Sequence, residues 1–165
     1  MAQGLTILYF DPHSLFYSQR YLDNNPDVGA AFDLLGPISS TDTRLKNVCP
    51  DRAGLNRFSQ AALDAGVLLY PTGNQYSREL LLKHQIIEDS LLAPFVDVRA
   101  RLRPDDNDPV RLMLAHASAL SAQWYVCGDI ASDTRLEAYP GRTLLSDYSG
   151  GINDDLLSQI RAMTI

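Results

Sequence analysis

Residues 5–15 read LTILYFDPHSL. An apolar run stops abruptly at Asp11, and Pro12 and His13 follow it. The run is short, rich in β-branched and aromatic residues, and apolar without alternation. That pattern predicts a strand buried on both faces, as in a parallel sheet. On its own Asp11 fits a strand-end turn former equally well, so its meaning depends on the rest of the chain.

Downstream, from residue 51, strand and helix signals alternate. DRAGLNRFSQAALDAG places Leu55, Phe58, Ala62 and Leu63 on one helical face and ends at Gly66. VLLY (67–70) reads as a strand, SRELLLKHQII (77–87) as a helix and PFVDV (94–98) as a third strand. DPVRLMLAHASAL (108–120) has Asp108 at the cap and Pro109 in the first turn. WYVCG (124–128) and RTLLS (142–146) read as two further strands. NDDLLSQIRAM (153–163) reads as a closing helix capped by Asn153. This alternation predicts an α/β fold, a parallel sheet of about five strands with helices on both faces. Residues 14–50 carry turn signals at Asn25-Pro26, Gly36-Pro37 and Cys49-Pro50, and short helices near 14–22 and 28–35. They read as a small inserted cap or lid within a single domain.

The bulk numbers suit such a domain. The chain has 165 residues, 45% hydrophobic and 21% charged, with a net charge of −6. An acidic chain offers no extended basic surface for nucleic acid. Only RARLR (Arg99, Arg101, Arg103) is locally dense, and it reads as a solvated face. Two cysteines, Cys49 and Cys127, make no disulfide framework. The opening residues MAQGL lack a secretory pattern and no apolar stretch approaches membrane-spanning length, so a cytoplasmic location is expected.

In parallel sheets ligands bind at the carboxyl ends of strands. Here those tips carry Asp11 and His13, Thr72 and Gly73, Asp129 and Asp133, and Asp147. Acids converging on one sheet edge are costly unless a cation joins them or some protonate. A hard divalent ion with oxygen ligands, Mg²⁺ by default, answers that cost.

YVCGDIASD (125–133) resembles the fourth motif of the haloacid dehalogenase superfamily, four apolar residues followed by Gly-Asp, three residues and Asp. VLLYPTG (67–73) resembles its second motif, and ILYFDPHSL (7–15) its first. The three appear in the family's order, each at a strand tip. The layout, with GGINDDLL after the fifth strand, is similar to the small domains of this superfamily associated with RNA-repair proteins. The resemblance implies a Rossmann-like sheet and a Mg²⁺-dependent phosphomonoesterase. Its substrate would be a phosphorylated small molecule or a nucleic-acid phosphate end. It makes Asp11 the nucleophile, taking the phosphoryl group as an aspartyl-phosphate. Thr72, with backbone N–H groups around Gly73 and Asn74, would hold phosphate oxygens. Asp11, the carbonyl of His13, Asp129 and Asp133 would serve the metal. The third-motif cation would be Arg111, pinned in the first turn of its helix, or Arg103, which precedes a proline as the family's lysine often does.

His13 departs from the pattern, because most family phosphatases have a second Asp there. A histidine can act as general acid and base. It can also mark a site that has lost turnover, which leaves a catalytically impaired binding domain as the alternative. A receiver-like phospho-acceptor domain fits poorly, since RARLRP follows the third strand and SDYSG the fifth. His84 and His116 lie on helices far from the tips and are assigned no function, and Tyr9, Tyr17, Tyr21 and Trp124 read as packing residues.

Overall fold

The computed structural model describes residues 4–36, 40–73, 75–98, 102–103 and 105–163. Its centre is β1 (Thr6–Phe10), all five residues of which are buried. β2 (Leu68–Pro71) lies on one side of it and β3 (Gln123–Cys127) on the other, both parallel to it. Ile7 pairs with Leu68 and Trp124, and Phe10 with Pro71 and Cys127. The unbroken apolarity of β1 follows from this central position, since both of its faces meet helices.

Before β2 come α1 (Pro12–Phe16), α2 (Gln19–Asn24), α3 (Pro26–Leu35), α4 (Thr41–Asn47) and α5 (Arg52–Ala65). α6 (Arg78–Lys83) and α7 (Pro109–Ala119) precede β3, and α8 (Asp154–Arg161) ends the described chain. One face of the sheet packs Leu8, Phe10 and Leu69 against Leu55 and Phe58 of α5 and Leu156 and Ile160 of α8. The other packs Ile7, Tyr9 and Val126 against Val110, Met113 and Ala117 of α7. Caps sit where the sequence puts them. Asp108 accepts from the Val110 N–H at 2.9 Å, Asn153 from the Leu156 N–H at 2.8 Å, and Gly66 closes α5 in the left-handed region.

The sheet corrects the expectation of a five-stranded, Rossmann-like architecture: among the described residues it has three strands. The 94–98 run leaves the sheet after a single bridge, Leu69 to Leu92, and the Ala93 N–H donates to the Leu69 carbonyl. Pro94 then has no N–H to continue the ladder, and Phe95 and Asp97 turn to solvent. The 142–146 run likewise keeps one bridge, Val126 to Thr143. Two residues past that bridge Leu145 is exposed, and its carbonyl accepts from the Gln159 side chain instead.

The 14–50 segment is anchored at its ends and light in its middle. Leu15, Phe16, Tyr17, Leu45 and Val48 are buried, whereas α2 and α3 bury no residue fully. The Tyr17 hydroxyl donates to the Val48 carbonyl at 2.8 Å, which closes the segment on itself. α4, for which no helix is expected from the sequence, is tied to the end of α6. The Asp42 carboxylate meets Lys83 at 3.0 Å and His84 at 2.8 Å.

Phe58 has no exposed surface and meets Phe10 edge-on at 5.5 Å. Phe58→Ala should cost about 3–5 kcal/mol in urea unfolding. Leu34→Ala, at a position 89% exposed, should stay within about 0.5 kcal/mol of the wild type.

Candidate active site

The register that pairs Phe10 with Cys127 carries one step beyond the sheet. The Asp11 N–H donates to the Cys127 carbonyl at 3.2 Å, which seats Gly128 directly against Asp11. Gly128 has φ +93°, and a Cβ there would fall 2.8 Å from the Asp11 Cβ and 2.9 Å from its nitrogen. Only glycine fits both demands. Ser14 ties the two tips together: its hydroxyl donates to the Asp11 carbonyl and accepts from the Asp129 N–H, each at 3.2 Å.

Asp11 is partly buried and Asp129 exposed. Burial, and then the neighbouring Asp129 charge, raise the Asp11 pKa above the usual carboxylate value. The His13 imidazole, the His13 N–H and the Ser14 hydroxyl pull it the other way. At the third tip, the Thr72 N–H and hydroxyl both donate to the Phe10 carbonyl, at 2.9 and 3.1 Å. Gly73 follows with φ +79°. Asn74 lies outside the described residues, as do Arg99 and Arg101. His13 is exposed on α1. Its ring lies 5.8 Å from Phe32 and 6.2 Å from Tyr17, and its carbonyl accepts from the Tyr17 N–H at 3.0 Å.

The structure therefore brings Asp11, His13, Thr72, Gly73 and Asp129 to one edge of the sheet. Two of the other sequence candidates, Asp133 and Arg111, have their charges engaged elsewhere. Asp133 caps the turn Thr134–Ala138, and Arg135, 2.8 Å away, pulls its pKa down to about 2. Arg111 grips Asp106 with two bonds of 2.7 and 3.0 Å and meets Asp108 at 3.0 Å. Arg103 is exposed on the loop before α7.

Two features at this edge have no signal in the sequence. The first is Arg44 of α4, whose guanidinium lies 5.5 Å over the Phe32 ring and has no carboxylate partner among the described residues. Burial raises the pKa of the Tyr76 hydroxyl and the Asp11 charge adds to the rise, while the nearby Arg44 guanidinium pulls it down. The second is His116. Its Nε2 donates to the Pro94 carbonyl at 2.9 Å, so Nδ1 accepts from the Tyr9 hydroxyl at 2.7 Å. Burial lowers its pKa, and Tyr70 stacks on its ring at 3.9 Å.

Among the described residues no three His, Cys, Asp or Glu side chains form a metal cage, and no helix is long and apolar enough to cross a membrane. Comparison with known family models, curated proteins and solved structures finds no match to this chain.

Because folding raises the Asp11 pKa, ionising Asp11 costs stability as pH rises above the unfolded value of 3.8. Asp11→Asn should therefore be more stable than the wild type at pH 7, and thermal melts should show that gain shrinking toward pH 3. In carbon-detected titrations, Asp129→Asn should lower the Asp11 pKa. Gly128→Ala should cost about 2 kcal/mol or more by denaturant unfolding, from strain and overpacking together.

Proposed function

We propose that this chain is a Mg²⁺-dependent phosphomonoesterase that works through an aspartyl-phosphate on Asp11. The observation that carries the reading is the pairing of Asp11 with Asp129 across adjoining strand tips, with Thr72 at the third. Among the described residues no arginine or lysine forms an ion pair with either acid. Two carboxylates held this close suit a cation between them. They are also enough for Mg²⁺, which commonly takes one or two carboxylates and fills its shell from water and substrate phosphate. Asp11 and Asp129 would hold the ion, which supplies charge neutralisation at the phosphoryl group when bound. Asp133, committed to Arg135, stands outside this set.

The steps assigned to the chain's own residues are these. The Asp11 carboxylate attacks phosphorus and the ester P–O bond breaks. His13, exposed two residues away, gives a proton to the leaving oxygen. Water then attacks the aspartyl-phosphate as His13 takes its proton, which releases phosphate and restores Asp11. Arg44 replaces Arg111 as the cation of choice, because Arg111 is spent on Asp106 and Asp108 while Arg44 has no acidic partner among the described residues. A non-catalytic phosphate-binding domain is the second reading. It is favoured by the Thr72 hydroxyl, whose proton already goes to the Phe10 carbonyl.

Phosphate release from a panel of phosphomonoesters with Mg²⁺ tests the proposal. Turnover abolished in Asp11→Asn, and reduced roughly 10²-fold in His13→Ala, supports the hydrolase. Wild-type activity in His13→Ala removes His13 from the chemistry. No turnover in the wild type, with inorganic phosphate still binding, establishes the second reading instead.

A further inference from the structure

Beside the strand tip that carries Thr72 lies a cavity of about 540 Å³, within the range of small-molecule sites. Its walls include Tyr9, Tyr70, Tyr76, Phe95 and His116, and Thr72 and Gly73 border it. This is an aromatic chamber whose walls are fixed. Both His116 nitrogens are hydrogen-bonded, Tyr70 stacks on that ring, and Tyr9 stands edge-on to Tyr70 at 6.1 Å and to His116 at 5.7 Å.

Two observations say what such a chamber holds. Phe95 is 71% exposed and has no ring neighbour among the described residues, although it borders the cavity. A phenyl ring left in water at the mouth of an apolar chamber is a stacking face without its partner. In addition, two of the charged groups around the cavity are already engaged within the protein. Arg78 donates to the Ala93 carbonyl and pairs with Asp89, and Asp106 is held by Arg111. A charged ligand group has little to gain from these two, whereas a planar ring gains stacking against the aromatic walls and burial.

We propose that this cavity binds a planar ring system, the organic portion of the ligand whose phosphate lies at Asp11. Thr72 makes the connection: it borders the cavity while its N–H and hydroxyl bond the carbonyl of Phe10, the residue preceding Asp11. The link to phosphate rests on the phosphomonoesterase reading, but ring binding does not.

Calorimetric titration of the wild-type protein with adenosine and with 1-naphthol, neither carrying phosphate, separates a heterocycle from a plain aryl group. Glycerol is the ringless control. Saturable binding of either ring compound, weakened about 5–10-fold in Phe95→Ala, supports the assignment. Phe95 is exposed, so an unchanged melting temperature certifies the variant. Ring compounds binding no better than glycerol, or Phe95→Ala binding as tightly as the wild type, overturns it. Ring binding without phosphate release sinks the hydrolase and leaves the cavity assignment standing. Phosphate release without ring binding does the reverse.

Discussion

The close approach of Gly128 to Asp11 is the contact on which the rest of this edge depends. A parallel sheet lines up its carboxyl ends only as well as its register allows. Here the register is carried past the last paired residues by the bond from the Asp11 N–H to the Cys127 carbonyl. With no side chain in the way, the backbone of one strand tip lies against the Cβ of the next, and Ser14 bonds both. Two acids are thereby fixed as neighbours without a salt bridge to hold them. The cost appears in the raised pKa of Asp11, and the strongly buried β1 behind it resists relaxation.

Elsewhere the molecule settles its charges locally. Asp106, Asp108 and Asp133 share Arg111 and Arg135 in one network on the loops around α7. Exposed pairs of this kind contribute little stability. Their consequence is selective: they remove Arg111, Arg135 and one of the acids from any competition for a ligand. Outside that network stand the pair at the strand tips, the imidazole of His13, and Arg44 on a helix fastened to α6 through Asp42.

The three strands, the α5, α7 and α8 helices and their caps were legible in the sequence because each is written locally. Apolar runs, a capping Asp or Asn and a closing Gly all act within a few residues. The strand tips were legible for the same reason. Strand pairing is not local, and there the reading exceeded the sheet. PFVDV and RTLLS have strand-like composition, yet Pro94 cannot donate and Leu145 faces solvent. The His116–Tyr9 bond joins residues 107 apart in the chain, so neither residue's spacing betrays it. Arg44 was hidden in a segment whose helix α4 shows no clear apolar stripe, and its setting beside Phe32 and Tyr76 is purely tertiary.

The two single bridges that ended the expected outer strands have a consequence of another kind. A three-stranded parallel sheet has two long margins of unpaired backbone groups, the usual template for one chain to add to another. Here Ala93 occupies the Leu69 carbonyl on the outer side of β2. Arg142 and Leu144 bond both backbone groups of Val126 on the outer side of β3, and the Arg142 side chain takes the Trp124 carbonyl. Segments too short and too irregular to count as strands thus blunt both margins, and the central β1, the most apolar stretch of the chain, is shielded from edge-to-edge self-association.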